Sequence, residues 1–225
     1  NMPVKVILMV LENRLYYNQR PILDYKIQYP QFFSYRHQRN LTKINNYYSS
    51  KALKVQKECT DDFFRAAIES YYNSIESKAP FRIFKIFYIP SITYNENCAI
   101  SLYYDNYISM GGNRGIIVRT SDTWDIQGGE MIQLCQLFEH NVEEVNLIRK
   151  FIEDEISKDL IFMDPVYYEN YKNNITENFR LRNFFLLPEG IVIYFQQYDI
   201  APFQSSIAEF LIPYQEGVTT EPECI

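Results

Sequence analysis

Apolar residues recur along this chain with two different periods, and the switches between them mark out its elements. From Ile22 to Tyr29 the period is two, with Leu23, Tyr25, Ile27 and Tyr29 on one side and Asp24, Lys26 and Gln28 on the other. That is the signature of a half-buried strand. Residues 4–10, VKVILMV, alternate in part and predict a strand before it, while Pro30 predicts where the second strand stops. A helical region is expected from Thr42, and Asp61 and Asp62 favour by their charge the start of a helix or a second helical segment. Phe64, Ile68, Tyr71 and Ile75 then recur at helical spacing, a core-facing stripe ended by Pro80. Between Phe81 and Tyr107 the chain is rich in Phe, Ile and Tyr and is broken by Pro90 and Asn95-Glu96-Asn97, which predicts paired strands with a polar turn. The run Ile116 to Ile126 is again strand-like and stops at Gly128-Gly129.

Asn141 is a candidate cap for a helix striped by Val145, Ile148, Ile152 and Ile156, with Glu143, Glu144, Glu153, Asp154 and Glu155 on a solvated face. A shorter helix is expected from Pro165 to about Asn178. The turn Pro188-Glu189-Gly190 then joins strand Leu181–Leu187 to strand Ile191–Phe195. Strands mixed irregularly with two or three helices, without βαβ alternation, define an α+β protein with antiparallel sheets.

Composition adds a core and removes some functions. The 225 residues are 47% apolar, enough for one large domain or two small ones. A net charge of −6 disfavours a nucleic-acid partner, which calls for clustered Lys and Arg. The 20 tyrosines and 16 phenylalanines suit both packing and exposed binding faces. Cys59, Cys98, Cys135 and Cys224 form no CxxC pair. They read as free thiols, Cys98 and Cys135 in apolar surroundings and Cys224 exposed. The apolar run Val6–Leu11 is too short for an export signal or a membrane span. With Met2 read as the natural start, the expectation is a cytoplasmic protein.

Candidate chemistry is sparse. His37 and His140 are the only histidines, and neither sits in a GxSxG, HExxH or Cys-His arrangement. No metal or cofactor is expected. Asp122, Asp125 and Glu130 are the candidates for paired carboxylates acting on a glycan, which requires two acids at fixed separation around the scissile bond. The better candidate site is the loop Gly111-Gly112-Asn113-Arg114-Gly115. Its glycines allow positive φ or close backbone approach, and Arg114 can present a planar guanidinium to a carboxylate. The loop lacks the Lys-Ser/Thr ending of a phosphate loop. Tyr103, Tyr107 and Trp124 complete the candidate ligand or partner patch, whose alternative reading is a tight turn with packed rings.

The closing segment Asn183–Tyr214 carries a family resemblance. Its F-F-L-x-P-E-G-I-V-x-Y-F run, the Y-D-I-A-P-F run after it and the final Ile212-Pro213-Tyr214 resemble the end of the RsiV C-terminal domain family. Ser101-Leu102, Tyr103, Tyr104, Tyr107, the diglycine loop, Trp124-Asp125 and Leu134–Phe138 extend the resemblance upstream. Arg114 stands where relatives carry a histidine in a Gly-Gly-Ala-His-Gly loop. Residues from about Leu11 to Ser109 resemble the accessory domain shared by RsiV and the polysaccharide deacetylase PdaC. The organisation implied is an accessory domain over 1–109, an RsiV C-terminal-like domain over 110–216 and a mobile tail over 217–225.

The resemblance implies a non-enzymatic recognition domain, with lysozyme, another protein or a cell-wall glycan as ligand, and related domains act outside the cytoplasm. Two rival readings are a cell-wall glycan-active enzyme using Asp122, Asp125 or Glu130 and a self-associating cytoplasmic scaffold.

Overall fold

The computed structural model describes residues 3–112, 114–162, 167–202 and 206–224. Strands β1 (Lys5–Tyr17) and β2 (Arg20–Phe33) form a long antiparallel ribbon closed by Asn18 and Gln19, both at positive φ. Two positive φ angles give the turn the twist that antiparallel strands require. The predicted alternation in β2 holds, with Leu23, Tyr25 and Ile27 buried. Pro30 does not end the strand, which runs on to Phe33. Pairing with β3 (Phe84–Glu96) covers Leu23–Ile27, so Pro30, a residue without an N–H, falls beyond that ladder, and further on the Asn45 side chain takes up the Phe32 N–H and carbonyl.

The β2–β3 pairing is parallel, a departure from the all-antiparallel expectation, and helices α1 (Gln38–Glu58) and α2 (Phe64–Glu76) form the crossover. Helix α1 starts four residues ahead of the expected Thr42. Asp61 and Asp62 lie in the π-helical turn Cys59–Phe63 that joins α1 to the second helical segment, α2. On α2 the expected stripe is only partly core: Phe64 and Ile68 pack on the buried cluster and Ala67 is fully buried, but Ile75 is 55% exposed.

Strand β4 (Ala99–Ser109) follows β3 across the two-residue turn Asn97-Cys98, and then come β5 (Ile116–Asp125) and β6 (Glu130–Met131). The six strands lie in the order β1-β2-β3-β4-β5-β6. Helices α3 (Glu144–Phe162) and α4 (Tyr171–Asn178) precede a second, antiparallel sheet of β7 (Phe184–Leu187), β8 (Gly190–Phe195) and β9 (Ala208–Pro213). Helix α3 begins three residues after Asn141, and Ile148, Ile152 and Ile156 are completely buried as its stripe predicts. The expected start of the shorter helix at Pro165 lies outside the described residues, and its end at Asn178 agrees. The α+β class holds.

Contacts divide the chain into two compact units. One comprises Val4–Ser91 and Tyr104–Val118, and the other Asn1–Pro3, Ile92–Tyr103 and Arg119–Ile225. The first is cored by Ile22, Leu23, Ile27, Ala67, Phe84 and Ile86. In the second, α3 and α4 pack against Leu186, Ile191, Ile193 and Phe195 of the smaller sheet.

The cysteines depart from expectation. Cys98 and Cys224 are joined in a disulfide across 126 residues, with Cα atoms 5.2 Å apart. Cys135 is exposed, whereas Cys59 is a buried free thiol. The error has a physical source, since neighbours in space need not be close in sequence and no spacing motif accompanied the pair.

Candidate functional site

In the first unit the diglycine loop packs closely against strands of its own unit. Gly111 has φ +80°, and a Cβ there would lie 3.3 Å from the Arg82 carbonyl oxygen and 3.4 Å from the Phe84 ring. A Cβ on Gly115 would strike the Tyr107 ring, which itself stacks on Phe87 with centroids 5.9 Å apart. Gly112 is open and exposed, and Arg114 is exposed while still making an interaction. Asn113 lies outside the described residues. Tyr103 and Trp124 belong to the second unit, where Trp124 is only 7% exposed. The loop and Tyr107 are therefore brought together, and Tyr103 and Trp124 lie in a different unit from them.

The candidate acids are engaged in turn formation. Asp125 Oδ1 accepts the Gln127 N–H at 2.8 Å and Oδ2 accepts the Gly128 N–H at 3.1 Å, which closes the turn between β5 and β6. Glu130 faces Asp125 across the ladder. Asp122 is half-buried and has an interaction of its own. The His37 carbonyl accepts the Leu41 N–H at the start of α1, and His140 is exposed. Among the described residues, no group of three or more His, Cys, Asp or Glu comes together to hold a metal.

The second unit contains an arginine box that sequence reasoning missed. Arg119 on β5 is 6% exposed, and its guanidinium carbon lies 3.8 Å above the Tyr103 ring centre, with Phe185 at 5.9 Å and Tyr194 at 5.8 Å. Its charge is paired with Glu209 of β9. The Gln196 amide clamps the same backbone segment, accepting the Arg119 N–H at 2.9 Å and donating to the Arg119 carbonyl at 2.6 Å. A desolvated guanidinium stacked on an aromatic face combines cation–π attraction with hydrogen bonds at the edge of the plane. The available signal was a lone Arg in the middle of the apolar strand Ile116–Ile126. Tyr103 comes from the preceding strand, 16 residues earlier, and the other partners come from residues 66 or more positions later, so no local pattern pointed to them.

A second missed feature lies on β1, the edge strand of the six-stranded sheet. Ile7, Leu8, Met9 and Val10 are 42, 44, 43 and 43% exposed, on both faces of the strand. Beside them Lys5, Ile7, Phe33, Ser34, Tyr35 and Gln38 line a surface hollow of about 590 Å³, and the Tyr35 side chain is fully exposed. Long apolar edge strands are normally blunted by charge or proline, because their free N–H and C=O groups template further pairing. The signal in the sequence was the unbroken run VILMV, which has no polar face.

Residues 136–215 match the family described as "Protein of unknown function (DUF3298)", and residues 17–116 match the one described as "Deacetylase PdaC". Both domains are present in this chain. A crystal structure of a DUF3298 family member from Bacteroides fragilis shares the fold, with a TM-score of 0.69 and 14% identity over 97% of this chain and 94% of that one. A DUF3298 family protein from Pseudomonas aeruginosa superposes with a TM-score of 0.63 and 14% identity, over 97% and 95% of the two chains. No curated protein matches the chain.

Proposed function

We propose that this chain is a non-catalytic recognition protein, which binds a protein or cell-wall ligand along the open edge of its β1–β2 ribbon. The observation that carries the reading is the run Ile7–Val10, four successive apolar side chains that are each more than 40% exposed on a strand paired on one side. An extended segment of a partner adds to such an edge through main-chain hydrogen bonds, and the neighbouring hollow supplies a pocket for one of its side chains. Lysozyme is the first ligand to test, because the closing hairpin resembles lysozyme-binding domains. A net charge of −6 suits a cationic partner surface.

The glycan-hydrolysing reading is less well supported, because both oxygens of Asp125 are engaged by backbone N–H groups of its turn. The Cys98–Cys224 disulfide favours an oxidising compartment over the cytoplasm.

The test is capture on immobilised lysozyme, with Leu8→Asp/Val10→Asp as the edge variant. Retention of the wild-type chain and loss of the variant are expected. If the wild type is not retained, lysozyme is not the ligand. If wild type and variant are retained equally, β1 is not the binding edge. Concentration-dependent light scattering that disappears in the same variant would favour the self-associating scaffold.

A further inference from the structure

We infer that residues 215–224 form a redox-released strap, latched over Leu137, Phe138 and Tyr94 by the Cys98–Cys224 bond and freed by a dithiol reductant without unfolding of the unit beneath. The strap leaves β9 and runs beside residues 137–139. The Glu139 N–H donates to the Val218 carbonyl at 3.0 Å, the Thr220 N–H donates to the Leu137 carbonyl at 2.9 Å, and Thr219 forms a bridge with Phe138. Glu221 then reaches the tip of the β3–β4 hairpin, where its carboxylate accepts from Tyr94 Oη at 3.2 Å and Asn97 Nδ2 at 3.1 Å.

These contacts hold the strap weakly without the covalent bond. Of residues 215–224 only Thr219 is buried, so the hydrogen bonds lie largely in reach of water, where each has small net value. The core below is built from Ile148, Ile152, Ile156, Ile191, Ile193 and Phe195, all at 0 or 1% exposure and none of them on the strap. That separation between a loosely bonded end and a closed core makes local opening possible.

Cys98 is placed for the latch at some conformational cost. It is the second residue of a two-residue turn and has φ +58°, after Asn97 at φ +49°. Such a position favours glycine, and a cysteine there is disfavoured. The Ile126 N–H holds the Cys98 carbonyl at 2.9 Å, which fixes the turn. Both sulfurs belong to half-buried residues, open to a small reductant. In the reduction a dithiol passes two electrons and two protons to the pair. The Cys98–Cys224 S–S bond breaks, two protein thiols form, and the reductant is left as its own disulfide.

Tyr94 and Leu137, which the strap hydrogen-bonds, are themselves buried. Tyr94 is 2% exposed, with its hydroxyl pKa raised chiefly by burial, and Tyr214 is affected in the same way. Leu137 and Phe138 are 2 and 5% exposed.

The test uses the full purified chain with dithiothreitol as the dithiol. Alkylation in denaturant followed by mass spectrometry is expected to label only Cys59 and Cys135 before reduction and all four cysteines after it. Amide hydrogen exchange at 137–139 and 218–220 is expected to quicken at least about tenfold on reduction, as opening becomes a local equilibrium, while β7–β9 stays protected. Cys224→Ser should show the fast exchange without reductant. Labelling of all four cysteines in the untreated chain overturns the latch. Unchanged exchange at 218–220, or loss of protection throughout the unit, overturns local release.

Discussion

Replacing Arg119 tests whether the aromatic box contributes to stability or merely fills space. In Arg119→Ala three contributions are lost together. A desolvated cation–π contact on Tyr103 is worth about 2 kcal/mol. The Glu209 carboxylate is 45% exposed, so solvent screening cuts its ion pair to about 1 kcal/mol or less. Loss of the side chain's packing in a site only 6% exposed adds about 1 kcal/mol. The expected cost is about 3–4 kcal/mol, with Glu209→Gln costing about 1 kcal/mol. Trp124 is the only tryptophan and belongs to the same unit, so its fluorescence in a urea titration reports on that unit. A double-mutant cycle of Arg119→Ala with Tyr103→Leu isolates the stacking, with an expected coupling of about 1–2 kcal/mol. An Arg119→Ala cost under about 1 kcal/mol, or coupling within error of zero, would falsify the reasoning.

Three further outcomes are expected. Gly190→Ala drives a Cβ into the Ile212 backbone carbonyl, which cannot swing aside as a side chain can; a cost of about 3 kcal/mol and a fall in Tm of roughly 6–12 °C should appear in a melting curve. The Leu8→Asp/Val10→Asp edge variant should melt within about 1 kcal/mol of wild type, because its positions are half-exposed, and a larger loss would make β1 a structural element rather than a docking edge. Burial pushes the Cys59 thiol up to about 12. The native state therefore favours the protonated form: this contribution is complete below the ordinary value of 9.0 and declines as pH rises towards about 12. Denaturant midpoints should fall over that range, and Cys59→Ala should show a smaller fall; equal slopes for the two chains count against it.

Elements whose burial follows one period were legible in the sequence. Leu23, Tyr25 and Ile27 alternate and are buried in β2, and Ile148, Ile152 and Ile156 recur at helical spacing and are buried in α3. Ile75 shows the limit of the same logic. Spacing places it on the stripe with Phe64 and Ile68, but the core below α2 does not extend to the helix end, and a one-dimensional pattern carries no information about core extent. The Pro188-Glu189 turn was legible from its residues, and pairing resumes at Gly190 opposite Leu187. The Arg119 box was not, since Tyr103, Phe185, Tyr194 and Glu209 come together only when two sheets form. Nor was the disulfide, although a cysteine directly after Asn97 in a hairpin turn was its one local trace.

The interleaved course of the chain sets an order of events during synthesis. The unit that begins at Val4 also needs Tyr104–Val118, so it cannot close until the chain has emerged well past β4. By then Ile92–Tyr103 is already exposed as an unfinished part of the other unit, which must wait for Arg119–Ile225. For that interval the nascent protein carries strand edges with no partners, the state in which chains aggregate or recruit a chaperone. Cys98 emerges 126 residues before Cys224, so its thiol stays unpaired with its native partner until both units have been synthesised.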